Sequence, residues 1–306
     1  MAGPPSETSY TVTLKGATMN IGFVGLGMMG GPMANRILDA GHALYINNRT
    51  KEKCAPFTAK GAVWCDSPSE VARNVEIVIS MLSTPDVLEN LALGKRGLLE
   101  GARPGLIHVD CSTVSPDLTK RLADHYRSRS YYFLHSPVLG SVPNASDGSL
   151  LLFVGGEEEA YTKAQGILKL FGNRIWRFER ADQATNTKLL CNFFIASMIS
   201  GLAQGLVFAE RNNIDRKTFL EILNSSALGA PTYQTKGIAM IENNFAPRFF
   251  LEHMLKDIRL VLDSAKASQT MMPTAEVALD LYTKALSSGF GKEDYSAVIK
   301  ILQTPR

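Results

Sequence analysis

Three glycines near the amino terminus are spaced as in turns that bind phosphate groups. The segment GFVGLGMMG places Gly25, Gly27 and Gly30 in a G-x-G-x-x-G pattern between an apolar run and an amphipathic segment. In a strand-turn-helix unit such glycines allow a tight turn, close approach of a pyrophosphate at the helix N-terminus, and close helix–strand packing. This context favours a dinucleotide site over a plain loop. The predicted cofactor-binding turn comprises Gly25, Leu26, Gly27, Met28, Met29 and Gly30.

The next predicted strand ends without an acidic residue. A NAD-binding unit usually carries Asp or Glu there, which binds the ribose hydroxyls and repels a 2′-phosphate. Here the chain reads Asn47, Asn48, Arg49, Thr50, and a guanidinium and a hydroxyl can donate to phosphate oxygens. Asn48, Arg49 and Thr50 are therefore predicted to bind NADP(H), with NAD(H) less favoured. A solvated surface arginine is the alternative.

Lys188 and Asn192 lie four residues apart at the start of a long apolar segment, on one face of a predicted helix. Burial there lowers the pKa of a lysine towards the working pH, and its ammonium can protonate and stabilise an alkoxide. Asn192 can orient that ammonium or bind the substrate. On spacing alone, a snorkelling or ion-paired lysine between domains is the favoured interpretation of Lys188.

Alternating strands and helices are expected to position these residues. From Met19 to about Arg180, short apolar runs alternate with amphipathic segments, which predicts a parallel sheet covered on both faces. The predicted strands are Ile21–Val24, Leu44–Ile46, Ile77–Met81, Leu106–Val109, Tyr132–Leu134, Leu151–Val154 and Ile175–Trp176. Predicted helices among them include Met33–Asp39, Pro85–Leu91, Pro116–Tyr126 and Glu157–Leu170.

The strand signal stops after Asp182. The remaining residues predict helices at about 183–212, 215–225, 231–242, 248–268, 273–288 and 293–302. The first is hydrophobic around most of its circumference, so it requires cover on all sides. Because Lys188, Asn192, Gln204 and Glu210 interrupt it, the expected cover is other helices and a second subunit rather than a membrane. We therefore predict a homodimer or homotetramer formed through the helical domain.

The sequence predicts two domains. Residues 19–181 form an α/β Rossmann-type doubly wound dinucleotide-binding domain, and residues 182–306 form an all-α substrate-binding and oligomerisation domain. Residues 1–18 contain Pro, Ser, Thr and Gly without a long apolar core, which predicts a disordered leader rather than a secretory signal.

Charge and cysteine content indicate which classes of partner and which cellular location to expect. The net charge is +3 and no basic run carries interleaved aromatics, so a nucleic-acid partner is not expected and a small-molecule substrate is. The four cysteines lack C-x-x-C spacing, which favours buried thiols in a reducing, cytoplasmic location over a metal site or disulfides. These cysteines are Cys54, Cys65, Cys111 and Cys191.

From Met19 to about Leu302 the sequence resembles the β-hydroxyacid dehydrogenase family. The motifs GFVGLGMMGGPMA, DCSTVSP (Asp110–Pro116), KLLCN (Lys188–Asn192) and KDIRLVL (Lys256–Leu262) occur in the family's order. NNRT and DYSAVIK (Asp294–Lys300) are most similar to the NADPH-dependent glyoxylate and succinic semialdehyde reductase branch. The resemblance implies that Lys188 is the catalytic acid/base.

The resemblance also implies roles for residues around that lysine. Ser112 and Thr113 would contact the substrate, and Thr113 also the cofactor; capping the helix that begins near Ser115 is the alternative. The backbone groups of Met81 and Leu82 would lie along the cofactor, with core packing as the alternative.

Three further residues carry roles by the same resemblance. Phe249 would line the substrate pocket. Lys256 would close over the cofactor or attract a carboxylate, and Asp257 would pair with it or with the substrate. Adjacent helix residues face different directions, so two solvated side chains are the alternative for this pair.

Two segments depart from the family's pattern. In HSPVLGS (His135–Ser141) the turn keeps Gly140 and Ser141, which could hold a carboxylate, but Leu139 replaces a serine. A bulkier or more apolar substrate is therefore expected, and His135 is interpreted as a strand-end histidine satisfied by backbone rather than as an acid/base. Asp182 and Ala184 replace two glycines before Lys188, which alters the backbone there.

The leading hypothesis is an NADPH-dependent reductase that transfers a hydride to a small aldehyde acid of the glyoxylate or succinic semialdehyde kind, with a lysine general acid. One alternative is a 3-hydroxyisobutyrate-type dehydrogenase that works oxidatively. Another is a catalytically weak family member that acts as a binding or scaffold protein. Related imine reductases usually lack the lysine.

Overall fold

A computed structural model describes residues 18–303, and within them one sheet contains nine strands. Except for Thr18, the leader predicted for residues 1–18 lies outside the described residues. The strands are β1 (Asn20–Val24), β2 (Ala43–Asn47), β3 (Val63–Trp64), β4 (Ile77–Ser80), β5 (Ile107–Asp110), β6 (Tyr132–His135), β7 (Val138–Leu139), β8 (Leu151–Gly155) and β9 (Arg174–Phe178).

The first six strands are parallel, in the order β3-β2-β1-β4-β5-β6. This order reverses between β1 and β4, the place where doubly wound sheets bind ligands. The rest of the sheet is mixed, because β8 runs antiparallel to β6 and β7 and parallel to β9. The predicted wholly parallel sheet is therefore correct only through β6.

Helices cover both faces of this sheet. They are α1 (Gly30–Asp39), α2 (Ala55–Thr58), α3 (Pro68–Asn74), α4 (Pro85–Leu93), α5 (Leu98–Gly101), α6 (Pro116–Arg127), α7 (Val142–Asp147) and α8 (Glu158–Phe171), with a 3-10 helix at Lys51–Cys54. Three of them begin in the same way, with a capping hydroxyl followed by proline, at Ser67, Thr84 and Ser115. Ser115 therefore caps α6, and the hydroxyls of Ser112 and Thr113 are not needed for it.

The chain after β9 is helical throughout its described part. It comprises α9 (Ala181–Arg211), α10 (Arg216–Ser225), α11 (Pro231–Ile241), α12 (Leu251–Ala267), α13 (Pro273–Ala285), a π-helix (Leu286–Phe290), a 3-10 helix (Tyr295–Val298) and α14 (Ile299–Gln303). A second apolar core forms where α9 packs against α12, α13 and α14.

Helix α9 is 31 residues long and, within residues 18–303, it alone has the length and mean hydropathy (1.6) of a membrane span. It packs against the sheet and against most of the helical domain. It is not covered on every side within one chain, because Leu190, Phe194 and Phe208 are 51%, 61% and 68% exposed. Cover by the other helices thus accounts for only part of its predicted burial.

Candidate active site

The glycine turn at the end of β1 has room where a pyrophosphate would lie. A Cβ added at Gly25 would lie 2.3 Å from the Met81 carbonyl oxygen, and one at Gly30 would lie 1.9 Å from the Gly25 carbonyl oxygen. A Cβ at Gly27 would meet no heavy atom within 4 Å. Met29 does not cap α1 with its side chain, so this helix N-terminus can donate to phosphate. The turn therefore fits the predicted dinucleotide.

Asn48, a predicted cofactor residue, also builds the turn itself. Its Oδ1 accepts a 2.9 Å hydrogen bond from the Leu26 amide, and its Nδ2 donates to the Thr50 carbonyl at 2.8 Å. It thereby joins the glycine turn to the end of β2. Arg49 is exposed beside it, so its guanidinium is accessible from solvent.

Lys188 is buried in the second turn of α9, with 9% of its surface exposed. Burial lowers its pKa, which the nearby Asp257 carboxylate raises and the Lys256 ammonium lowers further. Within residues 18–303 the Lys188 ammonium forms no hydrogen bond or ion pair. A buried amine with an unengaged nitrogen can exchange a proton with a substrate.

Beside Lys188, two hydrogen bonds and one ion pair connect three segments. The Asn192 amide nitrogen donates to Oδ2 of Asp257 at 2.6 Å, and Oδ1 of Asp257 lies 2.9 Å from the Lys256 ammonium. That ammonium donates to the Thr113 carbonyl at 2.6 Å. The predicted residues of α9, α12 and the loop after β5 therefore meet, and the alternative of a solvated Lys256–Asp257 pair is wrong.

Ser112 is held internally. Its hydroxyl donates to Oδ1 of Asp110 at 2.7 Å and accepts from the Leu82 amide at 2.8 Å. The hydroxyl thus has its donor and one acceptor site in use, so it fixes the strand ends; its predicted contact with substrate stays a prediction. The Met81 amide likewise donates to the Val24 carbonyl at 3.0 Å and ties β4 to β1.

The turn predicted to hold a carboxylate also bonds to itself. Gly140 has φ +145°, a backbone conformation that favours glycine. The Ser141 amide and hydroxyl both donate to Oδ1 of Asn144 at 3.0 Å, at the start of α7. The donors of Ser141 are thus engaged, and its binding of a carboxylate stays a prediction. Leu139 pairs with Leu151 in the sheet.

The structure also shows the contacts of Asp182, Ala184 and Phe249. Asp182 pairs with Arg180 at 3.0 Å in the first turn of α9, and Ala184 is buried. Phe249 lies just before α12, with its ring centroid 5.9 Å from that of His253 and 6.1 Å from that of Tyr295.

Sequence reasoning missed a buried polar row under this site. Ser80, Asp110 and His135 are register partners at the ends of β4, β5 and β6, and all are fully buried. Nε2 of His135 lies 3.0 Å from the Ser112 carbonyl, a backbone partner as expected from sequence, but its Nδ1 lies 2.8 Å from the side-chain hydroxyl of Thr185. The sequence pattern that could have predicted this row is a polar residue at the last position of each of three apolar strands.

No group of acidic, histidine and cysteine side chains within residues 18–303 has the arrangement of a metal site. The four cysteines are free, and all but the half-buried Cys191 are buried. Burial raises the pKa of the Cys65 thiol to about 11.

The family models divide the chain as the fold does. A model described as the NAD-binding domain of 6-phosphogluconate dehydrogenase matches residues 20–179. A model described as the NAD-binding region of NADP-dependent 3-hydroxyisobutyrate dehydrogenase matches residues 183–302.

Curated proteins and solved structures match almost the whole chain. Glyoxylate/succinic semialdehyde reductase 2, chloroplastic, of Arabidopsis thaliana is 34% identical over 94% of this chain and 81% of its own length. Glyoxylate/succinic semialdehyde reductase 1 of the same plant is 32% identical over 94% and 100%. A Mycobacterium tuberculosis 3-hydroxyisobutyrate dehydrogenase solved with L-serine is 26% identical, with a TM-score of 0.85 over 94% of this chain and 100% of that one.

These matches, together with a doubly wound domain that carries a glycine-rich turn and a helical domain that follows it, identify an NAD(P)-dependent oxidoreductase. The chain belongs to the β-hydroxyacid dehydrogenase family.

Proposed function

We propose that this protein is an NADPH-dependent reductase of small aldehyde acids, of the glyoxylate or succinic semialdehyde kind, in which Lys188 is the general acid. The proposal rests on one observation: the Lys188 ammonium is buried and has no hydrogen-bond or ion-pair partner within residues 18–303. It lies beside the connected side chains of Asn192, Asp257 and Lys256. The reductase names of two relatives with more than 30% identity support the substrate class.

NADPH, when bound, supplies the hydride that reduces the aldehyde carbon. The Lys188 ammonium donates a proton to the carbonyl oxygen and stabilises the negative charge that develops there. The ammonium is desolvated, so its interaction with that oxygen is stronger than in water. Asn192 holds the Asp257 carboxylate beside it, and the partly exposed Lys256 supplies positive charge for the substrate's carboxylate.

Preference for NADPH over NADH rests on the end of β2. Asn47 and Asn48 stand where an acidic residue would repel a 2′-phosphate, and the exposed Arg49 and Thr50 provide donors for it. The glycine turn and the N-terminus of α1 would hold the pyrophosphate.

The test is a substrate panel. NADPH is mixed with the full-length protein, and loss of absorbance at 340 nm is followed after addition of glyoxylate, succinic semialdehyde, other aldehydes or 2-oxo acids. Turnover of one or both aldehyde acids that is abolished by Lys188→Ala is the expected result. Turnover that survives this substitution would reject the lysine mechanism, and NADPH binding without turnover of any compound would indicate a binding or scaffold protein.

Oxidation of a 3-hydroxyacid is the second candidate. It is favoured by the match to the 3-hydroxyisobutyrate dehydrogenase structure, which has a TM-score of 0.85. The test is to add 3-hydroxyisobutyrate with NADP+ or NAD+ and to follow formation of the reduced coenzyme. A rate faster than the reduction of every aldehyde in the panel would support this second function.

We also propose a homo-oligomer formed through α9 and a cytoplasmic location. The exposed side chains of Leu190, Phe194 and Phe208 leave an apolar surface that a second copy would cover. Four free cysteines suit a reducing compartment.

A further inference from the structure

A buried carboxylate gathers the carboxyl ends of three strands. Oδ1 of Asp110 accepts from the hydroxyls of Ser80 (2.6 Å) and Ser112 (2.7 Å), while Oδ2 accepts from the Ser112 amide at 3.3 Å and lies 3.4 Å from Nε2 of His135. Burial alone would raise the pKa of Asp110, but these donors, above all His135, hold it below its ordinary value. Asp110 is therefore an ionised centre that orders its neighbours.

His135 connects these strand ends to α9. Its Nε2 faces two acceptors, the Ser112 carbonyl and the Asp110 carboxylate, and therefore donates. Its Nδ1 lies 2.8 Å from the hydroxyl of Thr185, in the second turn of α9. That hydroxyl also lies 3.0 Å from the Ala181 carbonyl within α9 and 2.9 Å from the hydroxyl of Thr119 on α6. His135, Thr185 and Thr119 are all buried.

Thr185 precedes Lys188 by three residues, about 4.5 Å along one rigid helix. The start of α9 lacks the family's two glycines, since Asp182 and Ala184 occupy their places and the helix already begins at Ala181. A continuous helix transmits any shift of its first turns directly to the lysine.

We propose that Thr185 and His135 are positioning residues, whose hydrogen bond fixes the start of α9 against the sheet and so sets the place of the Lys188 ammonium. The inference rests on the proposed function for its catalytic consequence. Misplacement of a reacting group by about 1 Å can slow an enzyme by roughly 100-fold.

Three substitutions test the role of the Thr185 hydroxyl. Thr185→Val keeps the shape and loses the hydroxyl, Thr185→Ser keeps the hydroxyl, and Thr187→Val removes a comparable hydroxyl that bonds only within α9, to the Gln183 carbonyl at 2.9 Å. For glyoxylate or succinic semialdehyde reduction, Thr185→Val should lower kcat by about 10- to 100-fold with little change in KM for NADPH. Thr185→Ser should recover most of kcat, and Thr187→Val should stay within about twofold of the parent.

A second measurement does not depend on turnover. In protein labelled with 13C-lysine, the Lys188 Cε resonance is assigned by its loss in Lys188→Arg. It should move in Thr185→Val, return in Thr185→Ser and stay in place in Thr187→Val. An unmoved resonance in Thr185→Val, or a kcat equal to that of Thr187→Val, would overturn the positioning role even if the melting temperature falls. A moved resonance in a protein that reduces no aldehyde would retain the positioning role and reject the proposed function instead.

Discussion

The amide nitrogen of Asn192 donates a 2.6 Å hydrogen bond to Oδ2 of Asp257 and thereby joins α9 to α12. Both side chains are buried, and the second carboxylate oxygen lies 2.9 Å from the Lys256 ammonium. The carboxylate and that ammonium act on Lys188 in opposite directions, because the first raises and the second lowers its pKa.

Opposite shifts of the pH profile follow from this pair. In the proposed mechanism reduction requires protonated Lys188, so kcat should fall as the pH rises through its pKa, which burial holds below 10.5. Asp257→Asn should move this fall to lower pH, and Lys256→Met should move it to higher pH. The measurement is kcat against pH at saturating NADPH. Shifts in the same direction in both variants would contradict the electrostatic assignment.

Replacement of Lys188 should separate stability from activity. Its pKa is lower in the folded than in the unfolded chain, so between the two values the unfolded state binds more protons and stability rises with pH. At neutral pH the buried charge therefore destabilises the fold, and Lys188→Met should raise the free energy of unfolding by about 0.5–2 kcal/mol. The same variant should lose about 10²- to 10⁴-fold in kcat. Urea unfolding and the 340 nm assay measure the two effects, with the exposed Lys169→Met as control.

Two alanine substitutions in the glycine turn should behave differently. Gly27→Ala introduces a methyl group into open space, so the melting temperature should be nearly unchanged while the Kd for NADPH rises more than about tenfold. Gly30→Ala forces a methyl group to within 1.9 Å of the Gly25 carbonyl oxygen and should destabilise the fold by about 1–3 kcal/mol. Calorimetry and NADPH fluorescence distinguish them. Normal NADPH affinity in Gly27→Ala would place the pyrophosphate elsewhere.

Arg49 should discriminate between the two dinucleotides. A charged hydrogen bond contributes about 1.5–3 kcal/mol, so Arg49→Ala should raise KM for NADPH by roughly 10- to 100-fold and leave KM for NADH within about twofold. Arg103→Ala is the matched control, because this exposed arginine precedes β5 and so lies towards the amino ends of the parallel strands, whereas Arg49 follows the carboxyl end of β2. Equal losses for both dinucleotides in Arg49→Ala would assign the arginine to another part of the cofactor.

A charge on the apolar face of α9 should dissociate the proposed oligomer. Phe194→Asp places a carboxylate on a side chain that is exposed in the single chain, where burial in an interface would be costly. Sedimentation velocity at micromolar concentration should show a dimer or larger species for the parent and a monomer for the variant. Val63→Asp, on the edge strand β3, is the control. A monomeric parent protein would remove the proposal.

Strand–helix alternation and the glycine spacing were sufficient to predict β1, β2, β4, β5, β6, β8 and β9 and the helical second half. Val63–Trp64 and Val138–Leu139 were missed as strands, because two residues carry no period. Antiparallel pairing of β8 was also missed, because a short apolar run is compatible with both parallel and antiparallel pairing.

The site was predictable where residues are close in sequence or belong to a motif. Lys188 and Asn192 share a helical face, and the structure brings both to Asp257. The partnership of Asp110, His135 and Thr185 was not predictable, because each reads alone as an ordinary strand-end or helix-start residue. Only the strand register and the packing of α9 on the sheet reveal it.

The two hydrogen bonds of Asn48 limit which residues can replace it without loss of a contact in the loop. An aspartate at this position would supply the ribose-binding carboxylate and still accept from the Leu26 amide, but it would face the Thr50 carbonyl with no hydrogen to donate. A lineage that changes its coenzyme by this single replacement therefore passes through a weakened loop. A further substitution that again donates to the Thr50 carbonyl would offset this loss.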